Sequence, residues 1–361
     1  MKGCLKHIGL TLLLVLPWGC QREGIGLLGT DVLRFSNPSI ATKVLAGQEI
    51  TGDVYPVGEN FSVYADKSSA AWNADETMPA HEAYMTAVEC TYAGGASWEP
   101  ISIYTWDGMG DSYPYLHAQA FSPSGTTGLT HSWTSGFTLT NFQTPAVGSM
   151  IDLMVSDRAY NYQKSTKAGH VDLHFRHVLS SIVFMVALHS DYQDMTETEV
   201  RLTSFRLRNV FTQGSFSQGL KSVNIDPDVN DPYDSGYPRW TTGDVESTLS
   251  GFMPLGQLQP ANYLSNDNWI ISDEALLLIP QPTHHERVAP AVSTDIEVEM
   301  GYSIAQGDGE TITGTLTAPL TGISTWTMGK RHTYRIYFQP NQLTVNLRIE
   351  PWSAEEKIQL Q

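Results

Sequence analysis

The feature that most constrains this chain is the period of its apolar residues. Short segments alternate apolar and polar at period two and are cut every few residues by Gly, Pro, Asn and Asp. That is the pattern of strands that bury one face. Phe61-Ser-Val63-Tyr-Ala65 is such a run, as are Ile101 to Trp106 and Leu116 to Phe121, the last closed by the turn cluster Ser122-Pro123-Ser124-Gly125. Helical periodicity is almost absent, so the chain is expected to be all-β. Runs resume at Val171 to Phe175, Ser181 to Ala187, Val200 to Phe205 and Leu276 to Ile279, and continue at Ile296 to Met300, Gly314 to Ala318, His332 to Phe338 and Leu343 to Ile349. Strands at this spacing fit one two-sheet sandwich. Between the two groups, Gln163 to Gly169 is polar and holds no large apolar residue. A boundary there predicts an N-terminal β-sandwich over 31–166 and a C-terminal one over 167–361.

The first twenty residues address a compartment. Lys2 and Lys6 precede an apolar run, Ile8 to Leu16, followed by Pro17-Trp18-Gly19-Cys20. A basic region, an apolar run too short to span a bilayer and a small residue before the cut describe a secretory signal over 1–19. The cysteine directly after it resembles a bacterial lipoprotein signal, which implies acylation at Cys20, a palmitate-type anchor at the outer membrane and a cell-surface location. Residues 20–30, with Gly24, Gly26 and Gly29, read as a flexible tether. The chain holds 21 basic against 38 acidic residues. Loss of Lys2 and Lys6 takes the net charge from −17 to about −19. Such a chain seeks neither nucleic acid nor anionic lipid by charge, so the lipid is its only membrane link. Of three cysteines, Cys4 leaves with the signal, Cys20 carries lipid and Cys90 stands alone. No intramolecular disulfide is expected, and Cys90 reads as a buried structural thiol.

At this point the chain resembles the fimbrillin family, the type V pilins and Mfa-like surface lipoproteins. Asp152-Leu-Met154 precedes Phe175-Arg-His177-Val-Leu179-Ser-Ser-Ile182, similar to the family's D-L-L followed by F-x-H-x-L-S-K-I. Trp326-Thr-Met-Gly329-Lys-Arg-His-Thr333-Tyr334-Arg-Ile336 and Ile349-Glu-Pro351-Trp352 match two further motifs, and Leu116 to Pro123 is similar to an aromatic family strand. Ser181 stands where the family usually has a basic residue. The resemblance implies tandem transthyretin-like β-sandwich domains. It also implies a pilus (fimbria) subunit or pilus-associated adhesin, whose partners are other pilus subunits. In the family a protease removes the first strand, and the C-terminal strand of another subunit replaces it. The first strand would be Asp31 to Ala41, and the cleavage site maps onto Lys43 and Val44, with Arg34 as backup. The donor strand would place Leu343, Val345, Leu347 and Ile349 on one face.

Other chemistries have weaker footing. His170, His174 and His177 would ligate metal only on a helix, and the alternation of Val171, Leu173 and Phe175 makes this a strand. His81-Glu82-Ala-Tyr-Met85 lacks the second histidine of H-E-x-x-H. The acidic loop with Asp226, Asp228, Asn230 and Asp231 is a calcium candidate, although Asp231 and Tyr237 occupy the places where an EF-hand needs Gly and Glu. No nucleophile elbow, phosphate loop or dinucleotide fingerprint is present, and neither an enzymatic activity nor a cofactor is expected. The alternative to a pilus subunit is a monomeric surface lipoprotein that binds host or microbial glycans, with Trp98, Trp106, Tyr113, Tyr115 and Trp133 as a stacking surface.

Overall fold

A computed structural model describes residues 31–42, 52–73, 76–165, 170–192, 198–219, 238–243, 245–262, 267–288, 291–307, 309–339 and 342–352. Among them the fold is all-β. Strands carry the architecture and the only helical pieces are two 3-10 turns, Asp107–Met109 and Ser190–Tyr192.

Eleven strands form the first sheet. Its middle runs Ser97–Pro100, His81–Gly94, Phe61–Ser68, Tyr115–Ser122 and Met154–Ser156, all antiparallel. Its two ends are built from the same two segments. Arg34–Ser36 pairs in parallel with His170–Val171 at one end, and Ser39–Thr42 pairs in parallel with His174–His177 at the other. Because each pair of short strands is continuous in the chain, the sheet folds over and the two segments join its layers. The enclosed core contains Leu33, Phe35, Phe61, Trp98, Leu116 and Phe175, all at most 1% exposed. Cys90 is buried there too, and desolvation pushes its thiol pKa up, which leaves it unreactive.

Two further sheets face one another. In one, Ile270–Ile271, Ser180–Leu188, Lys330–Gln339 and Gln342–Pro351 lie in that order. In the other, Glu246–Ser250, Thr198–Phe211, Glu297–Gln306 and Thr311–Pro319 do. Ser180–Leu188 is buried along its whole length, as its unbroken apolar run requires. Ile182, Phe184 and Val186 enter the main core, while Met185 and Ala187 pack on the other face with Ala261, Trp269 and Tyr337. Its neighbour Lys330–Gln339 runs parallel to it from Ser181↔Arg331 to Leu188↔Phe338. Burial of His332 in this sheet lowers its ring pKa to about 4, so it stays neutral and accepts the Thr327 N–H on Nε2.

The boundary expected at 166/167 does not coincide with the sheets. His170–Val171 and His174–His177 belong to the first sheet. The chain leaves it at Val178-Leu179. In the opposite direction, Leu129–Ser132 and Gly136–Gln143 form a four-stranded sheet with Gln213–Ser217 and Arg239–Thr242. Through it Phe137 and Leu139 join the second core. Ala159–Tyr162 before this stretch and His170–Val171 after it both belong to the first sheet, and composition alone does not separate a polar connection within one sheet from a linker. The run Ile101 to Trp106 is not a strand either. Ile101 and Ile103 are 63% and 72% exposed, and only Thr105 bridges to Val32.

Candidate assembly site

Asp31 to Thr42 fills a seat with partners on both sides. Phe35 lies opposite Trp98 across an antiparallel ladder and opposite Val171 across a parallel one. Further along, Ile40 pairs with Phe175 on one side while Ser39 pairs with Val54 on the other. Leu33, Phe35 and Ile40 point inward and are buried. Beneath them is an aromatic floor. Phe35 meets Phe61 edge-on at 6.2 Å, Phe61 tilts against Trp98 at 5.3 Å, and Tyr55 stands edge-on to Trp98 at 5.0 Å. Polar contacts fix the segment's register. Arg34 Nε is 2.6 Å from Glu99 Oε1, and Ser36 Oγ donates to Asp172 Oδ1 at 2.6 Å. Asp31 accepts from Lys164 at 2.7 Å and from the Asp107 N–H at 3.1 Å. The Lys164 ammonium holds the Asp31 carboxyl below its ordinary pKa.

Taking this segment away would leave unpaired strands at Ser97–Pro100, Gly52–Val54, His170–Val171 and His174–His177, beside Trp98, Phe61 and Phe175. An edge of unpaired backbone beside an apolar floor binds an added strand. Arg34, the backup cleavage position, lies inside a strand with its side chain on Glu99, so a protease reaches it only after the strand unpairs. Lys43 and Val44 lie outside the described residues, as do Cys20 and the acidic loop residues Asp226, Asp228, Asn230 and Asp231.

The expected donor, Gln342–Pro351, is an integral strand of its own sheet. It forms a ten-residue hairpin ladder with Lys330–Gln339, from Gln342↔Gln339 to Pro351↔Lys330. Leu343, Val345 and Leu347 pack on the second core, while Ile349 is 44% exposed. The strand's other edge carries no ladder among the described residues. It ends at Trp352, which is fully buried and stacks on His177 with ring centroids 4.1 Å apart and planes 7° from parallel. His177 Nδ1 is in turn 2.9 Å from a carboxylate oxygen of Asp152, and this pair is buried as well. The Trp352 N–H donates to Gly329 O, and the Gly329 N–H to Leu179 O. Trp352 thus fastens the last strand where the first sheet hands over to the second. The sequence displays Asp152, His177 and Trp352 in separate motifs, but no local signal joins them.

Of the aromatic residues considered for sugar stacking, Trp98 and Trp106 are core, at 0% and 4% exposure, so the expected surface loses two of its three tryptophans. His170 and His174 sit on successive short strands and His177 on Asp152. Among the described residues no group of three or more His, Cys, Asp or Glu could hold a metal ion.

Comparison with known proteins places the chain. No curated protein matches it. A fimbrial protein from Bacteroides vulgatus superposes with a TM-score of 0.55 at 17% identity, covering 89% of this chain and 100% of that one. A candidate cell adhesion protein from Bacteroides uniformis gives 0.48 at 13% identity, covering 90% and 100%. The first of these likenesses is one of fold. The family model described as fimbrillin-like matches residues 52–352, which takes in the Asp152–His177–Trp352 junction and begins after Asp31 to Thr42. The chain belongs to the fimbrillin-like family.

Proposed function

We propose that this protein is a pilus subunit or pilus-associated adhesin, exported as a lipoprotein through Cys20 and assembled by strand exchange at the seat of Asp31 to Thr42. The observation that carries the reading is the way this segment is bound. It contributes Leu33, Phe35 and Ile40 to a core, yet it is the first described segment and is followed directly by Lys43. Cleavage at Lys43–Val44 would free it without cutting any strand described here. A strand from another subunit would then cover Trp98, Phe61 and Phe175. Family membership supports the same reading, as does the fold shared with a fimbrial protein.

The incoming strand would resemble Gln342–Pro351, whose apolar face has the spacing of Leu33 and Phe35 in the segment it replaces. In this chain that strand is engaged at home and pinned by Trp352. To donate it, the subunit must strip one edge ladder and unseat one indole, while acceptance needs only removal of the first strand. The geometry therefore favours a subunit that accepts more readily than it donates, the behaviour of a capping position. Purified protein cut at Lys43 should take up donor strands, and chains built from it alone should be short by electron microscopy. Long homopolymers would refute the capping position, and monomers that bind no strand would refute the exchange. For the anchor, a fatty-acid probe fed to cells should label the wild type and not Cys20→Ala. Equal labelling of both would remove the lipid from the account.

A further inference from the structure

The loop from Pro123 to Gly128, between Tyr115–Ser122 and Leu129–Ser132, borders two hollows. One, of about 650 Å³, lies between the loop and Thr140 to Gln143. The other, of about 380 Å³, lies between the loop, Thr86 to Glu89 and Tyr104. They share the wall Ser124 to Thr126, and both fall within the ~300–1,000 Å³ usual for small-molecule sites. Each is bordered by a bulge that turns a non-glycine residue left-handed. Phe142↔Gly214 and Leu139↔Phe216 leave Thr140 and Asn141 opposite Ser215 alone, and Asn141 has a φ of 54°. Val63↔Val88 and Ala65↔Met85 leave Thr86 and Ala87 opposite Tyr64, and Ala87 has a φ of 52°. Bulges re-aim side chains, and residues in this conformation collect at binding sites. The other two left-handed asparagines show what such a residue does when its role is internal. The Asn161 amide bonds both the N–H and the C=O of Trp72, and Asn209 Nδ2 donates to Asp295 O. Asn141 differs. Its backbone N–H donates to Ser215 Oγ at 3.2 Å, but its side-chain amide bonds nothing among the described residues and is exposed at the larger hollow. Gly128 lets the loop close against the neighbouring Thr140, whose carbonyl oxygen would lie 2.7 Å from a Cβ placed there.

We propose that the hollow at Asn141 binds a neutral oligosaccharide, which continues over Ser124 to Thr126 into the smaller hollow. The argument for this occupant is the chemistry of the walls. No residue lining the larger hollow is charged. The smaller has only Glu89, whose carboxylate already accepts from Asn60 Nδ2 at 3.0 Å and from Ser124 Oγ at 3.2 Å. An anion would therefore find no cation here, on a chain of net charge −17. An apolar ligand would cover the Thr127 hydroxyl and the Asn141 amide and leave both dry and unpaired. A ligand of neutral hydroxyls gives each of them a partner, because a hydroxyl both donates and accepts. Ile151 in the larger hollow and the half-buried Tyr104 ring in the smaller supply apolar surface for the C–H faces of sugar rings. The assignment names a ligand class for the adhesin reading and rests on that reading. It does not rest on strand exchange, because neither Asp31 to Thr42 nor Gln342–Pro351 lines either hollow.

The test uses the purified full chain, uncut, in biolayer interferometry. The probes are neutral mucin O-glycans as a host source, yeast mannan as a microbial source and polysialic acid as an anionic control. The chain should bind at least one neutral glycan, and which one it binds names the source. Polysialic acid should not bind. Asn141→Gly keeps the left-handed backbone and removes the amide, while Thr127→Val removes one hydroxyl at nearly constant shape. Each should weaken binding about fivefold to tenfold, the worth of one hydrogen bond, with the β circular dichroism unchanged. Thr313→Val, on an exposed strand that lines neither hollow, should leave the affinity as it was. No binding to either neutral glycan, tighter binding to polysialic acid, or full affinity in both groove variants would overturn the proposal. Retention of whole cells on the same glycan tests the adhesin reading separately. Affinity in solution without retention would keep the groove and remove the adhesin.

Discussion

Trp352→Ala should destabilise the protein by about 3–5 kcal/mol, the usual cost of deleting a large buried aromatic side chain. Two terms act together. The indole is fully buried, and its face lies on His177 at 4.1 Å. Its Nε1 finds no hydrogen-bond partner, so the cavity is the dominant loss and the indole donor contributes little. The vacancy would also open the buried Asp152–His177 pair to water. Urea unfolding measures the change, and hydrogen exchange should show Gln342–Pro351 opening first. A loss under about 1 kcal/mol, the level of an ordinary surface change, would mean that this ring does not fasten the strand.

The second large effect is expected at the other end of the chain. Phe35→Ala should also cost about 3–5 kcal/mol, because the ring is fully buried against Phe61 and lies between Trp98 and Val171 in the two ladders. What distinguishes this position is where the loss appears. If the first strand opens as a unit, the loss falls on that local opening rather than on the whole domain. A local penalty of about 3 kcal/mol raises the open population more than about a hundredfold. Trypsin should then cut Arg34 at least about a hundred times faster than in the wild type, while the resistant body keeps its β circular dichroism. Faster cleavage at Arg34 accompanied by equally faster loss of the resistant body would mean that the segment opens only when everything does. It would then be no separable strand.

The all-β class was legible because its cause is local. Period-two alternation puts one face of a strand in a core, and Phe61–Ser68, Tyr115–Ser122, Lys330–Gln339 and Gln342–Pro351 all show it. Alternation fails where burial does not follow it. Ile101 and Ile103 alternate but are exposed, and they lie in a loop that only passes the sheet edge. His81–Gly94 is legible only in part, at the alternating Ala87 to Tyr92, for the opposite reason. Its pairing with Phe61–Ser68 slips near Ala65, and Ala87 has a φ of 52°, so the inward face changes along the strand. The seat of the first strand was half visible. Leu33 and Phe35 announce an apolar strand, but its two-sided pairing depends on Trp98 and Phe175, which are remote in sequence. The same limit applies to Leu343, Val345 and Leu347. Their spacing states that one face is apolar and does not state whose core it covers.

The central claim is that the place of Asp31 to Thr42 can be taken by a strand from another molecule. The most direct measurement titrates a fluorescent peptide of residues 342–352 into protein cut at Lys43 and washed free of its first strand, and follows anisotropy. The cut protein should bind the peptide and release it to excess unlabelled peptide of residues 31–42, because both occupy one groove. The intact protein should bind neither. Binding to cut and intact protein alike, or no binding to a cut protein that keeps its fold, would contradict the account.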